Sequence, residues 1–249
     1  MMRTIFVIGI GTGNPGHMTA DGIAALCNAD VVFVPTKGEE KARLAAVRRQ
    51  IIARYGAKPR LVEFALPVRD ETVTDYAERV SDWHEAIAGQ YRHMIAAMGE
   101  GETGALLVWG DPGLYDSTLR ILERVAAMGG RFTLRVLPGI TAIQALTAAF
   151  AIPLNTVGNP VHITTGRLLS RGFPEGADSV VVMLDGRKAY AALDAKDLYI
   201  YWAAYVGMDE EILIEGPLAE TRDAITAARD AARARHGWVM DIYLLRKTV

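Results

Sequence analysis

Three loops that contain glycine and proline carry the residues whose types and spacing could bind a ligand or catalyse a reaction. They are IGIGTGNPGHMT at residues 8–19, WGDPGLYD at 109–116 and LPGIT at 137–141. The second loop offers the carboxylate of Asp111, and the third offers the hydroxyl of Thr141. Glycines in all three would let a ligand approach the backbone closely. Although each loop alone could be a generic turn, together they are the candidates for a binding or catalytic site.

The first loop contains a literal G-x-G-x-x-G at Gly11, Gly13 and Gly16, which is the spacing of a dinucleotide-binding turn. Such a site needs an acidic side chain after the second strand, where it accepts hydrogen bonds from the ribose. Here Asp30 precedes the second predicted strand, and Pro15 lacks the N–H that a phosphate would need. The context therefore disfavours nicotinamide or flavin binding, and an NAD-dependent oxidoreductase stays open only as a remote alternative.

The elements that must position these loops alternate between strands and helices through the first 150 residues. Strands are predicted at residues 4–10, 31–35, 61–66, 105–109 and 131–137, and helices directly after Thr19, at 72–98 and at 114–128. This alternation predicts a mostly parallel sheet with helices on both faces. The loops would then meet at the carboxyl ends of the strands, where open α/β sheets bind their ligands.

The pattern changes after about residue 150, because strands outnumber helices from there on. Strands are predicted at residues 161–165, 179–184, 198–206, 211–216 and 238–245, and one long helix at 219–236. Arg229, Arg233, Arg235 and His236 suit the negative end of that helix. The fold class is therefore α/β with two domains. We expect an N-terminal domain over residues 1–138 and a C-terminal domain with a mixed sheet over 139–249.

Composition and charge exclude several functional classes. The chain has 249 residues, of which 51% are hydrophobic and 22% charged, and its net charge of −2 favours neither nucleic acid nor an anionic membrane. No apolar run reaches the roughly 18 residues of a membrane span. Cys27 is the single cysteine and is expected to be buried. The five histidines lack the spacing of metal ligands, so no metal site is predicted. The N-terminus runs directly into the first predicted strand, from which we expect a cytoplasmic protein.

Taken in order and spacing, the three loops resemble the tetrapyrrole (corrin and porphyrin) methyltransferase family. The marks of that family are an N-terminal G-x-G-x-G-x-P loop, a G-D-P loop after a central strand, and a P-G-I-T/S turn that opens a helix. Further matching stretches are VFVPTKG, NPVHITTGR, VVVMLDG, IYWAAYVG and HGWVMDIYLLRK. Since these stretches lie in both halves, the resemblance covers nearly the whole chain.

The resemblance implies a C-methyltransferase of cobalamin (vitamin B12) biosynthesis that uses S-adenosyl-L-methionine as its methyl donor. It also implies a homodimer and the tetrapyrrole methylase fold, whose active-site cleft lies between the two domains. The member that these stretches resemble most methylates precorrin-5 at C-1 and, with water, releases acetate to give precorrin-6A. Methylation at another carbon of a precorrin or related tetrapyrrole stays open, and so does a non-catalytic tetrapyrrole carrier.

Carried over position by position, the resemblance implies a set of site residues. The donor-binding candidates are Pro15, Trp109, Gly110, Asp111, Leu114, Tyr115, Thr141, Ala142, Leu184, Asp185 and Gly207. Leu184 and Asp185 would meet the adenine through their backbone, and Asp185 stands where many members have methionine. Asp111 and Tyr115 are the catalytic candidates, on loop position alone. Asp116 is also near this edge, with an alternative interpretation as the cap of the following helix.

The implied substrate is a polycarboxylate macrocycle, which calls for cationic side chains and apolar walls. The preferred substrate-binding candidates are Gly13, His17, Lys37 and Arg167. The remaining basic candidates are Arg43, Arg48, Arg171, Arg187 and Lys188, most of which are also compatible with solvated surface charges.

Overall fold

A computed structural model describes residues 1–36, 42–55, 58–70 and 72–248, without the side chains of residues 42 and 43. Its contacts divide the chain into two compact units, Met1–Thr141 and Ala142–Val249. The join that the sequence predicts after residue 138 stays a prediction. Each unit contains one five-stranded sheet, and the α/β fold class is confirmed.

The first unit is built on a parallel sheet whose strands follow the predicted runs closely. The strands are β1 (Arg3–Gly9), β2 (Val31–Thr36), β3 (Arg60–Ala65), β4 (Thr103–Val108) and β5 (Phe132–Leu137). They lie in the order β3-β2-β4-β1-β5, and every pair is parallel. The helices are α1 (Ala20–Cys27), α2 (Ala42–Arg54), α3 (Tyr76–Ala96) and α4 (Thr118–Ala127). The apolar runs of β1 and β4 are buried, as strands covered on both faces require.

Local side-chain hydrogen bonds decide where these helices begin. The Thr19 hydroxyl accepts from the Gly22 amide at 3.1 Å, so α1 begins where it was predicted. Helix α4 begins at Thr118 rather than at residue 114, because Tyr115 has a φ of +51° that no right-handed helix allows. Asp116 accepts from the Thr118 amide at 2.7 Å and so supports that start. Helix α2 was not predicted.

The prediction that Cys27 is buried is wrong. Helix α1 turns Gly22, Ala25 and Leu26 into the interior, whereas Cys27 lies on its outward side and is exposed. The thiol lies 3.6 Å from the Tyr55 carbonyl oxygen. The apolar character of a free cysteine therefore did not decide its position, because the other face of this short helix was already filled by small and aliphatic side chains.

The connections out of β1 and β4 create a crevice at the carboxyl edge of the first sheet. The chain leaves β1 to form β2 on one side of β4, whereas it leaves β4 to form β5 on the far side of β1. The neighbouring strands β1 and β4 thus send their following segments in opposite directions. This is the topological switch point at which open α/β sheets bind ligands.

The second unit contains a mixed sheet, as predicted. Its strands are β6 (Val161–Thr165), β7 (Ser179–Met183), β8 (Leu198–Ala204), β9 (Ile212–Pro217) and β10 (Asp241–Lys247). They lie in the order β6-β7-β10-β8-β9, in which only the β6–β7 pair is parallel. Its helices are α5 (Ala142–Ala149), α6 (Gly166–Leu169) and α7 (Leu218–His236). The large side chains of Trp202, Tyr190 and Tyr243 fill the core.

Two details of this unit differ from the sequence interpretation. Arg229 is not one of the solvated cations at the end of α7, because it is 4% exposed and pairs with Asp241 inside the core. Strand β10 begins at Asp241 rather than at residue 238, since Gly237 ends α7 with a φ of +78° and residues 238–240 lead into the strand. Over the described ranges, no helix combines the length and the apolar character needed to cross a membrane.

Candidate functional site

The three loops predicted from the sequence are joined to one another at the carboxyl edge of the first sheet. The Gly110 amide donates to the Gly11 carbonyl at 2.7 Å, and the Gly11 amide donates back at 3.3 Å. The Gly139 amide donates to Asp111 Oδ2 at 2.9 Å. The Thr19 hydroxyl donates to the carbonyl of residue 138 at 3.3 Å. We call residues 9–19, 109–116 and 137–141 the three-loop edge.

Glycine is required where these backbones touch. A Cβ at Gly9 would lie 2.6 Å from the Gly139 nitrogen and 2.7 Å from the Gly110 carbonyl oxygen. A Cβ at Gly139 would overlap that same oxygen, and a Cβ at Gly11 would overlap the Cβ of His17. The glycines of the first loop therefore allow three backbone segments to pack together at the switch point.

The same loop is poorly suited to hold a pyrophosphate, because several of its amides already have acceptors. Asn14 accepts from the Gly16 amide at 2.8 Å through its side chain and from the His17 amide at 2.9 Å through its carbonyl. These bonds form a 3-10 turn over Pro15–His17, which separates the glycines from α1. Asp30 lies at the opposite edge of the sheet, where its carboxylate accepts from the Thr103 amide at 2.8 Å. The geometry thus disfavours a dinucleotide site.

Asp111 is anchored by both of its carboxylate oxygens. Oδ1 accepts from the Gly113 amide at 2.7 Å, and Oδ2 accepts from Gly139. Asp111 therefore ties its own turn to the third loop, which supports a positioning role, and its predicted catalytic role stays a prediction. Tyr115 is 45% exposed and has a positive φ, which for a non-glycine residue costs on the order of 1–3 kcal/mol. Leu114 precedes it and is half-buried.

The remaining candidates of the first unit lie around this edge. Trp109 is half-buried, and its buried Nε1 has no hydrogen-bond partner within the part of the chain that the structure describes. His17 Nδ1 lies 2.9 Å from the Thr12 hydroxyl. The Pro15 carbonyl accepts from the Tyr55 hydroxyl. Gly13 has a φ of +106°. Lys37 lies outside the described residues, as does the side chain of Arg43.

In the second unit, the turn that follows β7 has an exposed leucine and a buried aspartate. Leu184 has a φ of +54° and is 64% exposed, whereas Asp185 is 3% exposed. Asp185 Oδ2 accepts from the Ala189 amide at 2.7 Å and from the Tyr243 hydroxyl at 2.6 Å. Gly166 packs against this side chain so closely that a Cβ there would overlap it. The Asp185 carboxylate is therefore turned away from any ligand at this turn, and the backbone contacts of Leu184 and Asp185 with the adenine stay a prediction.

The buried ion pair between Arg229 and Asp241 is hydrogen-bonded to the turn that contains Asp185. Arg229 Nη2 donates to the Asp185 carbonyl at 2.8 Å, and its Nε donates to Asp241 Oδ2 at 2.8 Å. Trp202 Nε1 lies 3.3 Å from the same carboxylate oxygen. Burial raises the pKa of Asp241, and the Arg229 guanidinium opposes that rise. Burial also raises the pKa of Tyr243, with a further contribution from Asp185, so the phenol stays protonated and donates.

Sequence reasoning missed this cluster because its members are scattered along the chain and each has an ordinary local explanation. The available signal was the isolated aspartate in the apolar run WVMDIYLL, which implies a buried partner.

Two further candidates lie on the same edge of the second sheet. Strand β10 pairs Ile242 with Met183 and Asp241 with Ala204, so the ends of β7 and β8 are at one edge. Gly207 follows β8 with a φ of +81°, and its amide donates to Glu211 at 2.6 Å. Arg167 is exposed in α6, directly after β6. Of the other candidates, Thr141 ends the first unit, and Ala142 is the first residue of α5.

Comparison with known proteins gives consistent results. The family model for Tetrapyrrole (Corrin/Porphyrin) Methylases matches residues 4–222. The precorrin-6A synthase [deacetylating] of Sinorhizobium sp is 55% identical over 99% of this chain and 96% of that protein. The precorrin-2 C(20)-methyltransferase of Sinorhizobium sp is 30% identical over 78% of this chain and 80% of that protein.

Solved structures show the same architecture. A cobalamin synthesis related protein (CobF) from Corynebacterium diphtheriae superimposes with a TM-score of 0.87, at 35% identity and full coverage of both chains. A uroporphyrin-III C-methyl transferase from Thermus thermophilus, complexed with S-adenyl homocysteine, shares the fold with a TM-score of 0.59 at 17% identity, covering 98% of this chain and 97% of that one. The switch-point loops, the two sheets and these similarities together establish that the chain belongs to the tetrapyrrole methylase family.

Proposed function

We propose that this chain is an S-adenosyl-L-methionine-dependent C-methyltransferase of cobalamin biosynthesis, which methylates precorrin-5 at C-1 and releases acetate to give precorrin-6A. The observation that carries the proposal is the similarity to precorrin-6A synthase along almost the whole length of both chains. The packing of the three-loop edge supports it, since these are the segments that the resemblance assigns to the donor.

In the methyl-transfer step, the main task of the protein is to align the methyl donor with the ring carbon. The ring carbon attacks the methyl group, a carbon–carbon bond forms, and the carbon–sulfur bond breaks to leave a neutral thioether. Because the sulfonium is already a good leaving group, orientation is the main contribution left to the protein, and it can supply roughly 7–11 kcal/mol. Loops held by backbone contacts at Gly9, Gly110 and Gly139 suit this task, because they have little freedom to move.

Acetate release requires a proton balance as well. Water adds to the acyl carbon and gives up a proton, the bond from that carbon to the macrocycle breaks, and its electron pair returns to the macrocycle, where it neutralises the positive charge that the transferred methyl group brought. We assign Tyr115 to proton transfer in this step, because its phenol is exposed at the three-loop edge, and we assign Asp111 to holding the loop. Donor contacts at the other assigned positions, and substrate contacts at Gly13, His17, Lys37 and Arg167, belong to the same proposal. So do the homodimer and the cytoplasmic location.

The decisive experiment is an anaerobic incubation with precorrin-5 and methyl-labelled donor. We expect a product that carries the labelled methyl group at C-1 and has lost the acetyl group, so that it is lighter than precorrin-5, together with one equivalent of acetate. Methylation without acetate would instead indicate a methyltransferase acting at another ring carbon. Tight nicotinamide binding without S-adenosylhomocysteine binding would indicate an oxidoreductase, and macrocycle binding without turnover would indicate a carrier. Sedimentation of the purified protein tests the homodimer.

Replacing Asp111 with asparagine is expected to reduce kcat/KM by about tenfold or more. The substitution replaces one carboxylate oxygen by an NH2 group, which cannot accept the hydrogen bond from the Gly113 or the Gly139 amide. A hydrogen bond to a charged group contributes about 1.5–3 kcal/mol. Calorimetry with S-adenosylhomocysteine should show a matching loss of affinity. The control is Asp82→Asn on the exposed surface of α3, which should leave both quantities unchanged. Normal donor affinity in Asp111→Asn would contradict the positioning role.

Tyr115→Phe separates the two chemical steps. We expect donor affinity and methyl transfer to persist and acetate release to slow, because the variant keeps the ring and loses only the hydroxyl. The measurement is the ratio of acetate to transferred methyl in a single turnover. A ratio equal to that of the unmodified protein would remove Tyr115 from proton transfer.

A further inference from the structure

A proline interrupts the first sheet beside the three-loop edge. The carbonyls of Asp30 and Thr36 accept hydrogen bonds from amides of β3 and of the residue that follows it. The backbone groups of the even-numbered residues of β2 therefore point towards β3, and those of the odd-numbered residues point towards β4. The β2–β4 pairing stops at Phe33 and Leu106, although β2 remains paired with β3 as far as Thr36. The next amide that β2 would turn towards β4 belongs to Pro35, which has none.

Arg48 of α2 occupies the position that this missing donor leaves. Its Nε donates to the Leu107 carbonyl at 3.0 Å, and its Nη1 donates to the Leu44 carbonyl at 3.1 Å. Within the described ranges, Nη2 makes no hydrogen bond and the guanidinium forms no ion pair with a carboxylate. Two neutral carbonyl oxygens thus accept from Arg48, and the N–H groups of Nη2 remain available to another acceptor.

The surroundings of Arg48 compensate its positive charge only in part. Burial lowers the pKa of Arg48, while Tyr91 and Asp116 oppose the shift. A guanidinium nevertheless stays charged, and a charge withdrawn from water is costly unless a counter-charge compensates it. Asp116 belongs to the second loop of the three-loop edge, so Arg48 lies beside the segments assigned to the reaction.

We propose that Arg48 binds a carboxylate of the tetrapyrrole substrate through Nη2 and thereby orients the macrocycle at the three-loop edge. This inference rests on the proposed function and names a specificity-determining residue for it. A single cation suits an isolated side-chain carboxylate of the macrocycle. It suits the amino-acid end of the methyl donor less well, because an ammonium group lies next to the carboxylate there. A charge-assisted hydrogen bond from Nη2 to a carboxylate is also shorter and stronger than one to a neutral acceptor.

The neighbouring residue provides a matched control. Arg49 lies on the same helix, but it is exposed and donates to Glu63 through Nε at 3.1 Å, so it already has an anionic partner. The variants are Arg48→Gln, Arg48→Lys and Arg49→Gln. For each, the KM for precorrin-5 and kcat are measured anaerobically, the affinity for S-adenosylhomocysteine is measured by calorimetry, and folding is followed by thermal unfolding.

Arg48→Gln is expected to raise the KM for precorrin-5 about tenfold or more, with kcat and S-adenosylhomocysteine affinity nearly unchanged. Arg48→Lys keeps the charge without the fork and should raise KM less, while Arg49→Gln should behave as the unmodified protein. An unchanged KM in folded Arg48→Gln, or in folded Arg48→Lys should the first variant fail to fold, overturns the proposal. So does a loss confined to S-adenosylhomocysteine affinity, which would assign the carboxylate to the donor. Absence of turnover in the unmodified protein instead rejects the proposed function itself.

Discussion

Gly139→Ala is expected to abolish methyl transfer and to lower the free energy of unfolding by about 3 kcal/mol or more, at the upper end of overpacking effects. The new Cβ would overlap the Gly110 carbonyl oxygen and lie 2.8 Å from the backbone carbons of Gly9. Both neighbours are main chain, which cannot rotate away as a side chain can. The loops must separate to admit the methyl group, and the bond from the Gly139 amide to Asp111 would be lost with them.

The measurements are urea unfolding, calorimetry with S-adenosylhomocysteine, and methyl transfer. Gly89→Ala in α3 is the control, because a Cβ at that position would point into open space, with no neighbouring side chain within 4 Å. Alanine inside a helix should raise the unfolding free energy by up to about 1 kcal/mol. If Gly139→Ala unfolded and reacted like the unmodified protein, the three loops would not be packed as described.

Arg229→Met is expected to lower the unfolding free energy by about 3–5 kcal/mol at neutral pH, because it leaves the buried Asp241 carboxylate without its counter-charge. It also leaves the Asp185 carbonyl without its donor. Donor affinity should fall as well, since that carbonyl belongs to the turn assigned to the adenine. Lys188→Met is the matched control, because its partner Asp230 is 54% exposed and such pairs contribute about 1 kcal/mol or less.

The destabilisation by Arg229→Met should depend on pH with a defined sign. Burial already raises the pKa of Asp241, and removal of the guanidinium that opposes this effect raises it further. Below the ordinary aspartate pKa of about 3.9, both folded and unfolded chains are protonated and the contribution of Asp241 vanishes. As pH rises, the unfolded chain ionises first, so stability is lost until the folded pKa is passed. Urea unfolding between pH 4 and 7, relative to Lys188→Met, should therefore show a widening gap; a constant gap would contradict the ion pair.

Local sequence was sufficient for most elements and for the loops that matter. The β-branched apolar runs became strands, and Thr19 capped α1, since these features depend on near neighbours. Prediction failed where a distant contact or a backbone conformation overrode the local pattern. The helix expected from residue 114 begins later because Tyr115 takes a left-handed conformation within a loop anchored to Gly139. Arg229 has the spacing of a helix-end cation, but Asp241 draws it into the core.

By itself, the sequence determined the alternation of strands and helices, the positions of the three loops and the family resemblance. These features depend on the spacing of apolar residues and on turn-forming residues, both of which can be recognised within short segments. Only the tertiary structure decided what the residues of those loops do. It showed that the glycines serve contact between backbones, that the Asp111 carboxylate joins two loops, and that Pro35 leaves a carbonyl for Arg48. Each of these depends on strands that are neighbours in the sheet but distant in the chain, and no pattern in a single segment records which strands become neighbours.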